Sequence, residues 1–318
     1  MRIAVLGAGA MGSVFGARLA LGGASVTLLD VNEAHLAAIA QQGLEVDLDG
    51  TLHRLSLPAM RPADFTGPVD VVLLFTKVFH TQSALQAIAG QLGAAQVLTL
   101  QNGIGNAERA AAVVPPAQVI VGMTMTPAEF LGPGKVASHG PATTAFYSAD
   151  GRHRPILDDL VAAMARGGIS AKADPAIHAA IHAAIWEKAA FNCAMNAICA
   201  LTEGTPGGIG ADAASLALAH AVAAEAVSVA QALAIPADGA RVADLVAQAT
   251  THHLLHEPSM LQDRKARRRT EIDALNGAVA DQGEALGVAV GLNRTLTTLI
   301  RLADSMPAYR TRQKAPHA

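Results

Sequence analysis

The sequence predicts two folds in series, an α/β domain built on a parallel sheet covered on both faces and then an all-α domain, and three observations carry that reading. Up to about residue 172, short runs rich in Val, Leu and Ile alternate with Ala-rich stretches of helical pattern, as buried parallel strands joined by helices do. Beyond Asp174-Pro175 the period changes, and from Ile177 to Ala303 apolar residues recur at helical spacing. The length, 318 residues of which 51% are apolar and 15% charged, exceeds one ordinary core and excludes disorder as a description of the whole. The expected division is residues 1–172, residues 175–309 and a loose tail at 310–318, where apolar periodicity is lost.

Strands of the first domain are expected at 3–6, 25–29, 69–75, 97–100 and 119–123. Between the second and third, residues 44–57 alternate apolar and polar around Asp49-Gly50, a hairpin dipeptide, so a small antiparallel excursion is expected there. Residues 133–147, with Pro133-Gly134 and His139-Gly140-Pro141 ahead of Thr143, suggest further strands that extend or close the sheet edge. In the second domain, helices should break at Thr205-Pro206-Gly207-Gly208, at Ile235-Pro236 and at Glu257-Pro258. A helix opening at Ser259 is expected to continue through Arg264 to Asn276.

A formal net charge of −3 gives no global attraction to nucleic acid or to an anionic membrane, so small molecules are the expected partners. The only two cysteines, Cys193 and Cys199, lie six residues apart in one apolar segment, a spacing that fits no metal site or redox pair; buried thiols in a reducing compartment are expected. The amino-terminal apolar run of four residues is far too short for a signal-peptide core, which points to the cytoplasm. Residues 213–235 are the most membrane-like stretch, but His220, Glu225 and Gln231 interrupt them, and they read as a packed helix.

The first strand runs into Gly7-Ala8-Gly9-Ala10-Met11-Gly12 and then a helical stretch, the order a dinucleotide needs. Gly7 permits the tight turn, Gly9 lets a pyrophosphate approach the backbone, and Gly12 lets helix and strand pack closely, with the helix amino terminus at Ala10 and Met11 facing the phosphates. Asp30 ends the second strand, eighteen residues after Gly12, where a carboxylate accepts hydrogen bonds from ribose hydroxyls and repels a 2′-phosphate. NAD(H) is therefore expected over NADP(H), unless Asp30 only caps the following helix, a place Asn32 suits equally well.

Ligands of open α/β sheets sit beyond the carboxyl ends of strands, where Thr76-Lys77 and Gln101-Asn102-Gly103 are polar interruptions of apolar surroundings. In the helical half, Lys188, Asn192 and Asn196 advance only about 40° per step, an amine and two carboxamides on one stripe of an apolar helix. An uncommitted buried lysine is costly, so the stripe is expected to face a polar cleft. Ser259 falls near a helix amino terminus, where an anionic substrate is favoured. The basic run Arg264, Lys265, Arg267, Arg268 and Arg269 is expected to be a solvated face or a set of ion pairs, with Glu271 and Asn276 following it.

Taken together, the glycine turn, Thr76-Lys77, Gln101-Asn102-Gly103, Trp186-x-Lys188-x-x-x-Asn192-x-x-x-Asn196, Ser259-Met260-Leu261-Gln262-Asp263 and Thr270-Glu271-Ile272-Asp273-x-x-Asn276-Gly277 resemble the ketopantoate reductase (2-dehydropantoate 2-reductase) family over nearly the whole chain. The resemblance implies a Rossmann dinucleotide-binding domain and a helical domain of the 6-phosphogluconate dehydrogenase type, with the active site in the cleft between them. It further implies Lys188 as general acid, Glu271 as a polar partner for lysine and substrate, Asn102, Asn192, Asn196 and Ser259 as substrate or active-site contacts, and Lys77 near cofactor and substrate. The implied reaction is reduction of a 2-oxo acid, ketopantoate first, to the 2-hydroxy acid.

This chain departs from the family pattern at three places. The family usually ends strand two with a basic residue suited to NADPH, here Asp30; an Asn three residues before the serine is His256 here; and the Asn of the loop after the catalytic helix is replaced in Thr205-Pro206-Gly207. NAD-dependent D-2-hydroxyacid dehydrogenases of the D-mandelate type resemble the same fold and lysine, and Asp30 suits them. A silent nucleotide sensor on this fold is disfavoured by retention of Lys188 and Glu271. A metal enzyme is disfavoured too, because His178 with His182, and His252, His253 and His256, have no carboxylate or cysteine at ligand spacing. No motif writes an oligomeric state; helical domains of this kind often pair, and a homodimer stays open.

Overall fold

The computed structural model describes residues 1–173 and 177–306, without the side chains of residues 177–179, so His178 and the tail expected at 310–318 lie outside what is described. The chain divides into two compact units, Met1–His182 and the residues from Ala183 onward.

The first unit opens with β1 (Arg2–Leu6), α1 (Ala10–Leu21), β2 (Ser25–Leu29) and α2 (Glu33–Gln42). A hairpin of β3 (Leu44–Leu48) and β4 (Thr51–Leu55) follows, and then β5 (Ala59–Met60), β6 (Val71–Leu74), α3 (Thr81–Ala87), α4 (Ala89–Leu92), β7 (Gln96–Thr99) and α5 (Asn106–Ala111). The unit closes with β8 (Val119–Thr124), β9 (Glu129–Gly132), β10 (Lys135–Ser138), β11 (Thr143–Ser148), α6 (Pro155–Arg166) and β12 (Ser170–Lys172). The main sheet has the order β12-β11-β8-β7-β6-β1-β2-β5, all parallel except β11 against β8. The chain crosses from β1 outward to β2 and then back to β6 on its other side, so the carboxyl end of β1 lies at a topological switch point. Strands β1 and β6 are buried on both faces, which is why their sequences are continuous apolar runs instead of alternating ones.

Asp49 and Gly50 both have positive φ (53° and 86°), the backbone that joins β3 to β4 and that Asp-Gly favours. Residues 133–147, by contrast, do not all extend the main sheet. Only β11 does so; β9 and β10 form a second hairpin, and β10 pairs in parallel with β3 to make a separate sheet of order β4-β3-β10-β9. Both hairpins are thus halves of one small sheet, a long-range pairing that no local pattern encodes.

The second unit is helical throughout its described residues. Helix α7 (Ile177–Thr202) crosses the unit boundary and is followed by α8 (Pro206–Ala211), α9 (Ala213–Ala232), α10 (Gly239–His252), α11 (Ser259–Lys265), α12 (Asn276–Leu286) and α13 (Gly291–Ser305). From Ala189 to Ala200 nearly every residue of α7 is buried, and α9 packs against α8, α10, α12 and α13. Helix α9 is long and apolar enough to cross a membrane by length and composition. In the fold, its Val222, Ala226, Val229 and Ala230 are buried, and its Glu225 carboxylate accepts the backbone amides of Leu292 and Asn293 at the start of α13, both at 2.9 Å.

The helix opening at Ser259 stops at Lys265 and does not run to Asn276. Arg267 takes a left-handed φ of 56°, and the Arg268 N–H returns to the Asp263 carbonyl at 2.8 Å, a closed carboxyl cap. A single 3-10 turn at Ile272–Ala274 then leads into α12. The basic run is largely neutralised: Lys265 pairs with Glu257, Arg268 with Asp263 at 3.0 Å, and Arg269 with Asp273 at 3.0 Å.

Candidate active site

In the first unit the flagged residues gather at the carboxyl ends of β1, β2, β6 and β7. Gly7 leaves β1 with φ +98°, and a Cβ on it would come 2.5 Å from the Thr76 backbone nitrogen; a Cβ on Gly12 would come 2.0 Å from the Gly7 carbonyl oxygen. Both positions exclude any side chain by contact within the protein itself. Gly9 is different. A Cβ there would meet nothing within 4 Å, so no neighbour in this chain requires glycine, and the free space lies at the amino terminus of α1. The amides of Ala10, Met11 and Gly12 open that helix. An anionic pyrophosphate fits this cradle in charge and in space.

Asp30 follows β2 directly. Its Oδ1 accepts the backbone N–H groups of Val31 (2.8 Å) and Asn32 (2.9 Å). It does not cap α2: Asn32 does, its Oδ1 accepting from the His35 N–H at 3.2 Å. With Oδ1 held by the turn, Asp30 is oriented at the strand end and its Oδ2 has no partner among the described residues.

Thr76-Lys77 and Gln101-Asn102-Gly103 are brought together by Gln101. Its amide nitrogen donates to the Thr76 carbonyl (2.6 Å) and the Thr81 hydroxyl (3.0 Å), while its oxygen accepts from the Thr99 hydroxyl (3.0 Å). Asn106 completes the loop by donating to the carbonyls of Gln101 and Asn102, each at 3.1 Å. Gln101 and Asn106 therefore shape the strand ends on which Lys77 and Asn102 stand, both half-buried. Sequence reasoning marked Gln101 as a polar interruption without finding its partners; Asn106 carried no signal beyond its closeness to Asn102.

In the second unit, Lys188, Asn192 and Asn196 lie one turn apart on α7, the two carboxamides buried and Lys188 half-buried. Burial lowers the Lys188 ammonium from its ordinary range to about 8, because a charge removed from water is disfavoured. The neighbouring Glu187 belongs to another environment: it is buried and accepts the Asp238 N–H at 2.9 Å where α10 begins. Both cysteines are buried free thiols on α7, with Cys199 pushed up to about 12 and Cys193 raised as well by burial, so neither is a nucleophile near neutrality.

Ser259 is exposed at the first turn of α11, and Glu271 is half-buried at the start of the 3-10 turn. The segment carrying Glu271 is anchored to α7 by Asn276, which is fully buried and donates both amide hydrogens, to the Cys193 carbonyl (3.1 Å) and to Asn293 Oδ1 (3.0 Å). Asn293 donates in turn to the Val222 carbonyl (3.0 Å) and Glu225 (2.8 Å). This network ties α7, α9, α12 and α13; the spacing of Asn293 and Glu225 shows no pattern that announces their bond.

The loop after α7 that replaces the family Asn is tied to the segment leading to His256. The Gly207 N–H donates to the Leu254 carbonyl at 3.1 Å, two residues from His256. Burial lowers the His256 pKa, with His253 acting in the same direction.

Comparison with known proteins agrees with this architecture. The family described as Ketopantoate reductase PanE/ApbA matches residues 3–151, and its C-terminal counterpart matches residues 180–304. The chain is 34% identical to a 2-dehydropantoate 2-reductase of Halobacterium salinarum, covering 96% of this chain and 99% of the relative, and 31% identical to one of Streptococcus pyogenes with the same coverage. Among solved structures it is similar to a D-mandelate dehydrogenase in ternary complex with NADH and anilino(oxo)acetate, with a TM-score of 0.90, 30% identity, and 96% of this chain and 98% of that chain covered. A PanE/ApbA family ketopantoate reductase from Ralstonia eutropha gives a TM-score of 0.86 at 30% identity, with the same coverage.

Proposed function

The chain belongs to the ketopantoate reductase PanE/ApbA family, and from that premise we propose that it reduces a 2-oxo acid to the 2-hydroxy acid with a nicotinamide dinucleotide, ketopantoate being the favoured substrate. The observation that carries the reading is a lysine whose ammonium is lowered to about 8 by burial, on a helix stripe with two buried carboxamides. Bound nicotinamide dinucleotide supplies the hydride. Lys188 gives a proton to the oxygen on which charge develops, and an ammonium near 8 is a stronger acid than an exposed one while still largely charged at neutrality. Asn192, Asn196, Asn102 and Ser259 supply donors for the carboxylate and hydroxyl groups of the substrate, and Glu271 steadies the lysine charge.

The glycine turn and the amides of Ala10, Met11 and Gly12 hold the pyrophosphate, Lys77 and Asn102 border the cofactor, and Asp30 receives the ribose hydroxyls. That last assignment makes NADH the preferred cofactor, because a 2′-phosphate would meet the Asp30 carboxylate. The likeness to a D-mandelate dehydrogenase solved with NADH, together with Asp30, supports a second reading in which the substrate is a bulkier 2-oxo acid. Steady-state rates for ketopantoate and for branched and aryl 2-oxo acids, each with NADH and with NADPH, test both. Turnover of ketopantoate above the others with NADH is expected; a preference for an aryl 2-oxo acid transfers the assignment to the second reading, and no turnover of any 2-oxo acid contradicts both.

A further inference from the structure

The glycine turn is braced from behind by a relay of side chains that the cofactor contacts above do not include. His35 of α2 is 1% exposed. Its Nδ1 accepts the Gly134 N–H at 2.9 Å, so that nitrogen carries no proton, and the neutral ring holds its hydrogen on Nε2. Nε2 lies 3.2 Å from Ser13 Oγ, and the Ser13 hydroxyl donates to the Ala8 carbonyl at 2.7 Å. The directions are then fixed throughout: Gly134 N–H to His35, His35 Nε2–H to Ser13, Ser13 O–H to Ala8. Burial, which outweighs the opposing pulls of Asp30 and of the Ala8 backbone, holds the His35 pKa below its ordinary value and so keeps the neutral ring this relay requires.

Each end of the relay is seated firmly. Gly134, in the turn between β9 and β10, has φ +74°, and a Cβ on it would come 3.0 Å from Ala38 Cβ on α2, so the hairpin rests directly on that helix. The Phe130 ring of the same hairpin lies 5.1 Å, centroid to centroid, from the His35 ring. At the other end, Ala8 sits between Gly7 and Gly9. A trans peptide points its carbonyl and the following N–H to opposite sides. Ser13, by holding the Ala8 carbonyl, therefore fixes the direction of the Gly9 N–H opposite to it.

We propose that His35 is a positioning residue for the cofactor, acting through Ser13 to fix the Ala8–Gly9 peptide and thereby the affinity for the dinucleotide pyrophosphate. The inference rests on the reading that this turn binds a nicotinamide dinucleotide. It makes the small sheet, which contributes no residue to the cofactor contacts, a determinant of cofactor affinity.

The test is a double-mutant cycle on the full chain with Ser13→Ala, His35→Leu and the pair, reading Kd for NADH by titration and kcat at saturating NADH. Ser13→Ala removes one hydroxyl from a helix and keeps a strong helix former, so it folds even if His35→Leu does not. Each single substitution is expected to weaken NADH about 5- to 10-fold, the scale of one buried hydrogen bond. The pair should weaken it no more than the larger single change, with kcat of Ser13→Ala within about twofold of the unsubstituted chain. Affinity unchanged in Ser13→Ala, single effects that multiply in the pair, or a kcat that falls in step with affinity would overturn the inference while leaving the functional reading intact. An unsubstituted chain that binds neither NADH nor NADPH overturns the functional reading, and this inference with it.

Discussion

The proposed roles of Asp30 and Lys188 each rest on the surroundings of one side chain. Asp30 is held through Oδ1 by two backbone amides, which fixes its direction without consuming Oδ2. Asp30→Ser should leave the fold intact and raise kcat/KM for NADPH relative to NADH by at least about tenfold, the scale of removing one like charge from a phosphate site; an unchanged ratio would show that Asp30 does not face the ribose. Lys188 has its ammonium lowered to about 8 by burial. If Lys188 donates the proton, kcat/KM for reduction is full below about 8 and falls as pH rises through it, while the oxidation of the hydroxy acid gains there. A flat reductive profile from pH 7 to about 9.5 would contradict proton donation by Lys188. Asn276 is structural by comparison. Asn276→Ala strips partners from the Cys193 carbonyl and Asn293 Oδ1 in a buried site, and should lower unfolding stability by about 1–3 kcal/mol, measured by denaturant titration.

At the scale of elements, the strand, glycine turn and helix at the amino terminus separate what the fold needs from what a ligand needs. Gly7 and Gly12 are required by neighbours inside the chain, whereas Gly9 has open space where a Cβ would go. Gly9→Ala should therefore fold with a thermal midpoint close to that of the unsubstituted chain and lose most of its NADH affinity, while Gly12→Ala should disturb folding itself. If Gly9→Ala binds NADH normally, the turn is not where the pyrophosphate rests. The strand positions were legible because buried parallel strands are continuous apolar runs, and the Asp49-Gly50 hairpin because its turn demands positive φ at both residues. The helix opening at Ser259 is shorter than its sequence pattern predicts, since nothing in Arg267 announces a left-handed residue and the cap depends on the return of Arg268 to Asp263. Likewise the partner of the hairpin after β9 could not be read, because β10 pairs with β3 some ninety residues earlier in the chain.

For the whole molecule, the apolar period of the sequence changes near residue 174 whereas the two compact units divide between His182 and Ala183, and the two sets of candidate residues fall on either side of both. Residues clustered in sequence, such as the stripe on α7, were legible from spacing alone. Residues that support them from a distance were not. Gln101 reaches Thr76 across 25 positions, and Glu225 and Asn293 meet across 68, so their hydrogen bonds exist only once the helices and strands have packed. The central claim is that the first unit binds the dinucleotide and Lys188 of the second supplies the proton. It is tested most directly by measuring NADH affinity and 2-oxo acid turnover on one preparation of Lys188→Ala beside the unsubstituted chain. Turnover is expected to fall by about 10²-fold or more with NADH affinity kept within a few-fold; turnover that survives the substitution nearly intact would contradict the account.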